Sequence, residues 1–325
     1  MTQAQRDMKK LLDFEIMPIT RLTHPDYLKK GDLVLLVAPA GIVHSKDPVF
    51  EAVKLLESWG LRAEIAPHVF EDGAHFAGSD AMRLQDLQMA LDHPSAKAIW
   101  AVRGGYGSAR IVDDLDFTKF KENPKWLIGY SDITALHSAI HLQGIESMHA
   151  MMASNLKEGQ DSIQATINSF KETLTGKRPN YSISSHPNNK KGSAKGQLVG
   201  GNLTLLQTQI GTPTDLDTSG KIIFFEEVGE YKYHLDRMIR QLERRGYFKE
   251  CEGVIVGDIS RVKHNSTVFG LSTEELILDI LKDYDFPIIF NFPAGHEPIN
   301  MALILGREVK IDANTKGKST VKFKL

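Results

Sequence analysis

From Gly31 onward the chain alternates short apolar runs with amphipathic stretches. Leu33 to Ala38 is an apolar run of strand length, closed by Pro39-Ala40-Gly41. Pro48 to Trp59 has helical spacing, with Val49, Val53, Leu56 and Phe50 marking the buried side. Leu61 to Ala66 reads as a second strand. Asp80 to Leu91 reads as a helix with Met82, Leu84, Leu87 and Leu91 apolar and Ser79 or Asp80 as its cap. Ala98 to Val102 and Trp126 to Gly129 supply the third and fourth strands. Strands alternating with helices of about ten residues predict an α/β fold, a parallel sheet with helices on both faces. In such sheets ligands gather beyond the carboxyl ends of the strands.

The pattern breaks near Asn155. Arg178 to Gln197 is rich in proline, asparagine, serine, lysine and glycine and reads as a linker or irregular crossover. A second α/β pattern follows: a helix over Asn202–Ile210, a strand over Lys221–Phe225, a helix over His234–Arg245 and a strand over Gly253–Val256. Ser272 and Glu275 form a capping box for a helix ending near Leu281. Pro287 to Phe290 is the last core strand, and a weakly patterned tail reaches Leu325. The expected organisation is a leader over 1–30, a first domain over 31–155, a crossover over 156–197 and a second domain over 198–325.

Composition narrows the possibilities. A chain of 325 residues suits two domains of ordinary size. Its 39 basic and 41 acidic residues nearly cancel, and no basic block or RNP-like aromatic pattern points to nucleic acid. Cys251 stands alone, which excludes an intrachain disulfide framework and suits a reducing compartment. The polar amino terminus lacks the apolar core of a secretory signal. No apolar run reaches the roughly eighteen residues of a membrane span. A cytoplasmic protein is the expectation.

The chemistry centres on Leu127 to Leu136. A buried strand, a turn at Gly129 and an amphipathic helix place Ser131 on the turn, beside unpaired backbone N–H groups. An α/β sheet presents a nucleophile this way, although Ile133 occupies the second glycine position of G-x-S-x-G. The competing reading makes Ser131 a helix cap. Arg103-Gly104-Gly105-Tyr106-Gly107 fits neither a dinucleotide fingerprint nor a P-loop. It reads as a tight turn or as an oxyanion loop, in which the amides of Gly105 and Asp132 would hold a tetrahedral oxyanion. Of twelve histidines, His24, His44, His68, His75, His186 and His264 lie in polar or irregular context. His137 and His141 sit four apart, without the third ligand a metal site needs. His296 differs, in a rigid turn, Phe292-Pro293-Ala294-Gly295-His296-Glu297-Pro298, beyond the last core strand. Glu226 closes the apolar run Ile222 to Phe225, where a carboxylate needs a partner unless the strand end is solvated.

With Val37-Ala38-Pro39-Ala40-Gly41, the glycine loop, Gly129-Tyr130-Ser131-Asp132, Gly200-Gly201-Asn202-Leu203, Phe225-Glu226-Glu227-Val228-Gly229-Glu230, Asp236-Arg237 and Pro293-Ala294-Gly295-His296 in this order, the chain resembles the LD-carboxypeptidases. That family includes muropeptide carboxypeptidases and microcin-immunity hydrolases. The resemblance spans Gly31 to Asp312. It implies a flavodoxin-like amino-terminal domain and a smaller carboxy-terminal α/β domain, with the active site in the groove between them. It also implies a triad of Ser131, His296 and Glu226, no metal or other cofactor, and a homodimer. The implied reaction releases the terminal D-alanine from murein tetrapeptide in cytoplasmic cell-wall recycling. An exopeptidase must also hold a free carboxylate, for which Arg103 is the candidate; the acidic residues near Glu227 and Glu230 are candidates for further substrate charges. His149-Ala150-Met151 stands where the family commonly has His-Gly-Pro. Two rivals are an immunity-type hydrolase of peptidyl-nucleotides or other small peptides, and a non-enzymatic binding module for anions or peptides.

Overall fold

The computed structural model describes residues 22–263 and 267–324; residues 1–21 of the leader and His264 lie outside them. The first half builds β1 (Leu33–Val37), α1 (Asp47–Ser58), β2 (Arg62–Ile65), a hairpin of β3 (Asp72–Gly73) and β4 (Phe76–Ala77), α2 (Asp80–Asp92) and β5 (Ala96–Ala101). The short helix α3 (Thr118–Glu122), β6 (Trp126–Gly129), α4 (Thr134–Leu142) and β7 (Ser147–His149) follow. The strands align as β2-β1-β5-β6-β7, all parallel, which is flavodoxin-like. All five residues of β1 are buried, as a strand covered on both faces requires.

Two helix faces depart from the spacing argument. Phe50 of α1 is 46% exposed, because the helix turns Val49, Ala52, Leu55 and Leu56 inward. In α2, capped by Ser79 accepting from the Met82 amide, the buried face carries Arg83 and Asp86 while Met82 and Leu84 sit half-exposed. Specific polar partners override hydrophobicity there. Arg83 donates to the carbonyls of Pro39 and Gly107, and Asp86 accepts from the His68 amide.

The second half adds α5 (Gln164–Leu174), β8 (Asn180–Ser184), β9 (Gly192–Asn202), α6 (Leu203–Thr208), β10 (Lys221–Val228), α7 (Lys232–Arg245) and β11 (Gly253–Ser260). It continues with α8 (Thr273–Leu281), β12 (Ile288–Ile289), β13 (Leu303–Leu305), β14 (Glu308–Ala313) and β15 (Lys318–Phe323). Seven strands form a sheet in the order β12-β11-β10-β9-β14-β15-β8. The stretch read as an irregular crossover thus carries α5, β8 and half of β9, and the weakly patterned tail carries three strands. β13 leaves the second sheet and pairs antiparallel with β7, completing a six-stranded first sheet. Side chains alternate along β10. Ile222 and Phe224 join the core shared with the first sheet, while Ile223 and Phe225 pack on the far side with Leu203, Leu242 and Ile277.

The seam between the sheets holds a buried ion pair. Arg307, just after β13, donates from Nε to both carboxylate oxygens of Glu146, each at 3.1 Å, and from Nη1 to the Tyr27 hydroxyl. Both side chains are 8% exposed. Removing one partner strands a buried charge, so Arg307→Met is expected to destabilise the fold by about 3–5 kcal/mol. Adding Glu146→Gln should recover part of that loss. Urea denaturation checks this; a single variant as stable as the wild type contradicts it.

Candidate active site

The turn after β6 is strained at one residue. Tyr130 is extended, with φ −152° and ψ −172°, and Ser131 then enters φ +62°. A side chain in the left-handed region costs energy that the surroundings must supply, and such strain concentrates at functional sites. Ser131 opens a single 3₁₀ turn leading into α4, yet caps neither: the turn's cap is Tyr130 and that of α4 is Ile133. The helix-cap reading therefore fails. Half-buried, the Ser131 hydroxyl has no hydrogen-bond partner among the described residues and bonds to no histidine in this structure. Apo sites often leave that bond unmade.

Glu226, near the end of β10, is 0% exposed. Its Oε2 lies 2.7 Å from His296 Nδ1. An ionised carboxylate only accepts, so Nδ1 carries the proton and Nε2 keeps its lone pair. Burial works to lower the His296 pKa, but the hydrogen bond and charge of Glu226, helped by Glu227, outweigh it and raise the value above 6.5. The imidazole sits edge-on to the Tyr130 ring, centroids 4.9 Å apart, which brings it against the residue preceding Ser131. Asn300 Oδ1 accepts from the Gly295 amide and steadies the histidine loop.

Asn202 ties these parts together. Its Nδ2 donates to Glu226 Oε1 and Glu227 Oε1, at 3.3 and 3.1 Å, and its backbone N–H donates to Thr134 Oγ1 at 2.9 Å. Thr134 begins α4, so the helix behind the serine is hooked to the strand beside the carboxylate. Gly201 makes the approach possible: a methyl group there would stand 2.4 Å from Thr134 Oγ1. Glu227 plays a different part from the one its position suggested. It is 3% exposed, accepts from the Thr204 amide and hydroxyl and the Val228 amide, and cannot meet a substrate. Glu230 is likewise engaged, by His234.

The glycine loop lies against the same turn. A methyl group on Gly104 would stand 3.3 Å from Ser131 Oγ. The Gly104 carbonyl accepts from the Gly41 amide, which turns the next N–H, that of Gly105, the opposite way. Gly105 is exposed at φ +98°. Neither its amide nor that of Asp132 has a partner among the described residues. The Asp132 carboxylate, 1% exposed, accepts from the Ser108 amide, and Ser108 Oγ donates to the Asp132 carbonyl, pinning loop to turn. Arg103 Nη1 donates to the Ile42 carbonyl, and no carboxylate pairs with it among the described residues. His137 bonds Ser147 Oγ and the Gly129 carbonyl through its two nitrogens, which gives it a bracing role at the turn. His149 is buried against Phe224, and burial drives its pKa well below 6.5.

Residues 34–150 match the LD-carboxypeptidase N-terminal domain, and residues 195–311 the LD-carboxypeptidase C-terminal domain. A probable murein peptide carboxypeptidase of Bacillus subtilis is 33% identical over 91% of this chain and 93% of its own length. The chain belongs to the LD-carboxypeptidase family. It is a serine-type enzyme of that class. The murein tetrapeptide carboxypeptidase of Pseudomonas aeruginosa is 29% identical over 86% of this LD-carboxypeptidase and 93% of its own chain. The crystal structure of muramoyltetrapeptide carboxypeptidase from Oxalobacter formigenes superposes with a TM-score of 0.82 at 28% identity, over 90% of this chain and 99% of that one. A microcin C7 self-immunity protein shares the fold, with a TM-score of 0.83 at 21% identity over 94% and 98% of the two chains.

Sequence reasoning passed over Thr134, Tyr130 and Asn155 and gave Asn202 no role. The Gly-Gly-Asn triplet at a strand end was the available signal for Asn202; the others carried none. The Glu226 carboxylate makes one pH prediction. In NMR titrations His296 should titrate above 6.5 in the wild type, and Glu226→Gln should lower its pKa, since burial then acts with less opposition. An unchanged value contradicts the pairing.

Proposed function

We propose that this LD-carboxypeptidase hydrolyses the L,D-bond of murein tetrapeptide and releases the terminal D-alanine. The observation that carries the proposal is the pairing of a buried carboxylate with an imidazole that packs on Tyr130, the residue before a serine held in a strained turn. In this reading Ser131 Oγ attacks the scissile carbonyl while His296 Nε2 takes its proton. Glu226 fixes the tautomer and stabilises the imidazolium. The free amides of Gly105 and Asp132 receive the oxyanion. His296 then protonates the departing amine, and a water molecule, deprotonated by the same imidazole, releases the acyl group and restores the serine. Arg103 holds the terminal carboxylate.

The relatives named as murein peptide and murein tetrapeptide carboxypeptidases support this substrate. A homodimeric cytoplasmic enzyme, with residues 31–155 and 198–325 as the two walls of its groove, completes the reading. Among the described residues no helix is long and apolar enough to cross a membrane.

Incubation with murein tri-, tetra- and pentapeptides, read by mass, tests the proposal. Loss of one D-alanine from the tetrapeptide alone is expected. Ser131→Ala should lower kcat by about 10⁶ and Glu226→Gln by about 10⁴. Intact tetrapeptide after prolonged incubation with folded wild-type protein refutes the substrate.

A further inference from the structure

The loops after β1 and β5 enclose a crevice of about 340 Å³ at the point where the strand order of the first sheet reverses. Open α/β sheets bind ligands at this place. Its polar lining is His44, Ser45, Arg103, Ser154 and Lys157, and Val49 and Val102 give it an apolar wall. Among the described residues no carboxylate lines it. Arg103 spends one donor on the Ile42 carbonyl and keeps the rest of its five N–H groups. The nearest acid to Lys157 is its neighbour Glu158, at 3.6 Å and exposed. The crevice is therefore cationic without internal compensation.

It also adjoins the reacting atoms. Arg103 precedes Gly104, which packs on Ser131. Across the crevice, the Ser154 amide donates to the Val102 carbonyl, and the next residue, Asn155, donates to the Tyr130 hydroxyl at 3.1 Å. Tyr130 in turn meets the His296 ring. The turn Ala153–Glu158 thus forms one wall of the crevice and, through Asn155 and Tyr130, a support for the imidazole.

We propose that this crevice is the leaving-residue subsite, in which Lys157 joins Arg103 in binding the terminal carboxylate and Val49 and Val102 receive the small side chain. The proposal rests on Ser131 as the nucleophile. The departing residue is single and ends in a free carboxylate, which suits a small cationic crevice. The acyl arm runs several residues and needs an open path.

Titrating D-alanine into ¹⁵N-labelled protein, with D-alaninamide as the control that keeps the amine but lacks the carboxylate, tests this directly. D-Alanine should saturate and shift the Ser154 and Asn155 amides, and D-alaninamide should not. Lys157→Met, at an exposed position, should weaken D-alanine binding about fivefold, the effect of one partly exposed ion pair. Equal binding of acid and amide, or an unaltered Lys157→Met variant, overturns the assignment. Tetrapeptide turnover measured in parallel separates the two levels of the argument. Turnover without D-alanine binding overturns the crevice alone, whereas absence of turnover overturns the murein tetrapeptide substrate and the leaving-residue assignment with it.

Discussion

A carboxylate sealed from water must find its hydrogen bonds inside the protein, and Glu226 imposes that condition on this fold. The apolar run of β10 carries it into the interior, where its two oxygens face His296 and Asn202. Meeting that demand brings together the loop after β12, the end of β9 and, through Thr134, the helix behind Ser131. The residues come from widely separated stretches of chain, so the site exists only once both sheets have formed and packed. The shared core and the return of β13 to the first sheet make that packing part of the fold itself.

The second constraint is strain. Ser131 at φ +62° would relax if its surroundings allowed it. They do not. His137 holds the Gly129 carbonyl from one side, and Asp132 is fastened to Ser108 on the other. Arg83, buried in α2, braces the loops after β1 and β5 from behind through the carbonyls of Pro39 and Gly107. Its ion pair with Asp80 offsets the cost of burying the guanidinium. The result is a rigid frame around a half-buried hydroxyl that, like two amides close by, has no partner among the described residues. A hydroxyl that served only to cap a helix would not need such a frame.

Much of this was legible along the chain, and the parts that were not share a cause. Elements whose apolar run is unbroken, such as β1 and the strand leading into the β6 turn, declared themselves. The candidate residues Ser131, Glu226 and His296 stood out because each occupies a strand end or a sharp turn where a polar side chain is otherwise out of place. The contacts that align them depend on register. Asn202 lies opposite Glu226 only because β9 and β10 pair as they do, and no spacing in the chain encodes that pairing. Glu227 reads along the chain as a candidate for meeting substrate charges, yet the pleat turns it into the far side of the sheet, where Thr204 and Asn202 satisfy it. β8 and β15 escaped notice because, with one face exposed, their alternation is diluted by serine, threonine and lysine. In α2 Leu87 and Leu91 are buried as the spacing predicts, and the error over Met82 and Leu84 had a chemical origin, since Arg83 and Asp86 take buried positions beside them.

The account turns on whether the imidazole beside Glu226 activates the hydroxyl of Ser131. Labelling with a fluorophosphonate probe, located by peptide mass mapping, measures that most directly. The wild type should carry the probe on Ser131, and folded His296→Ala protein should not react. A folded wild type that remains unlabelled, or a His296→Ala variant that labels as fast as the wild type, would contradict it.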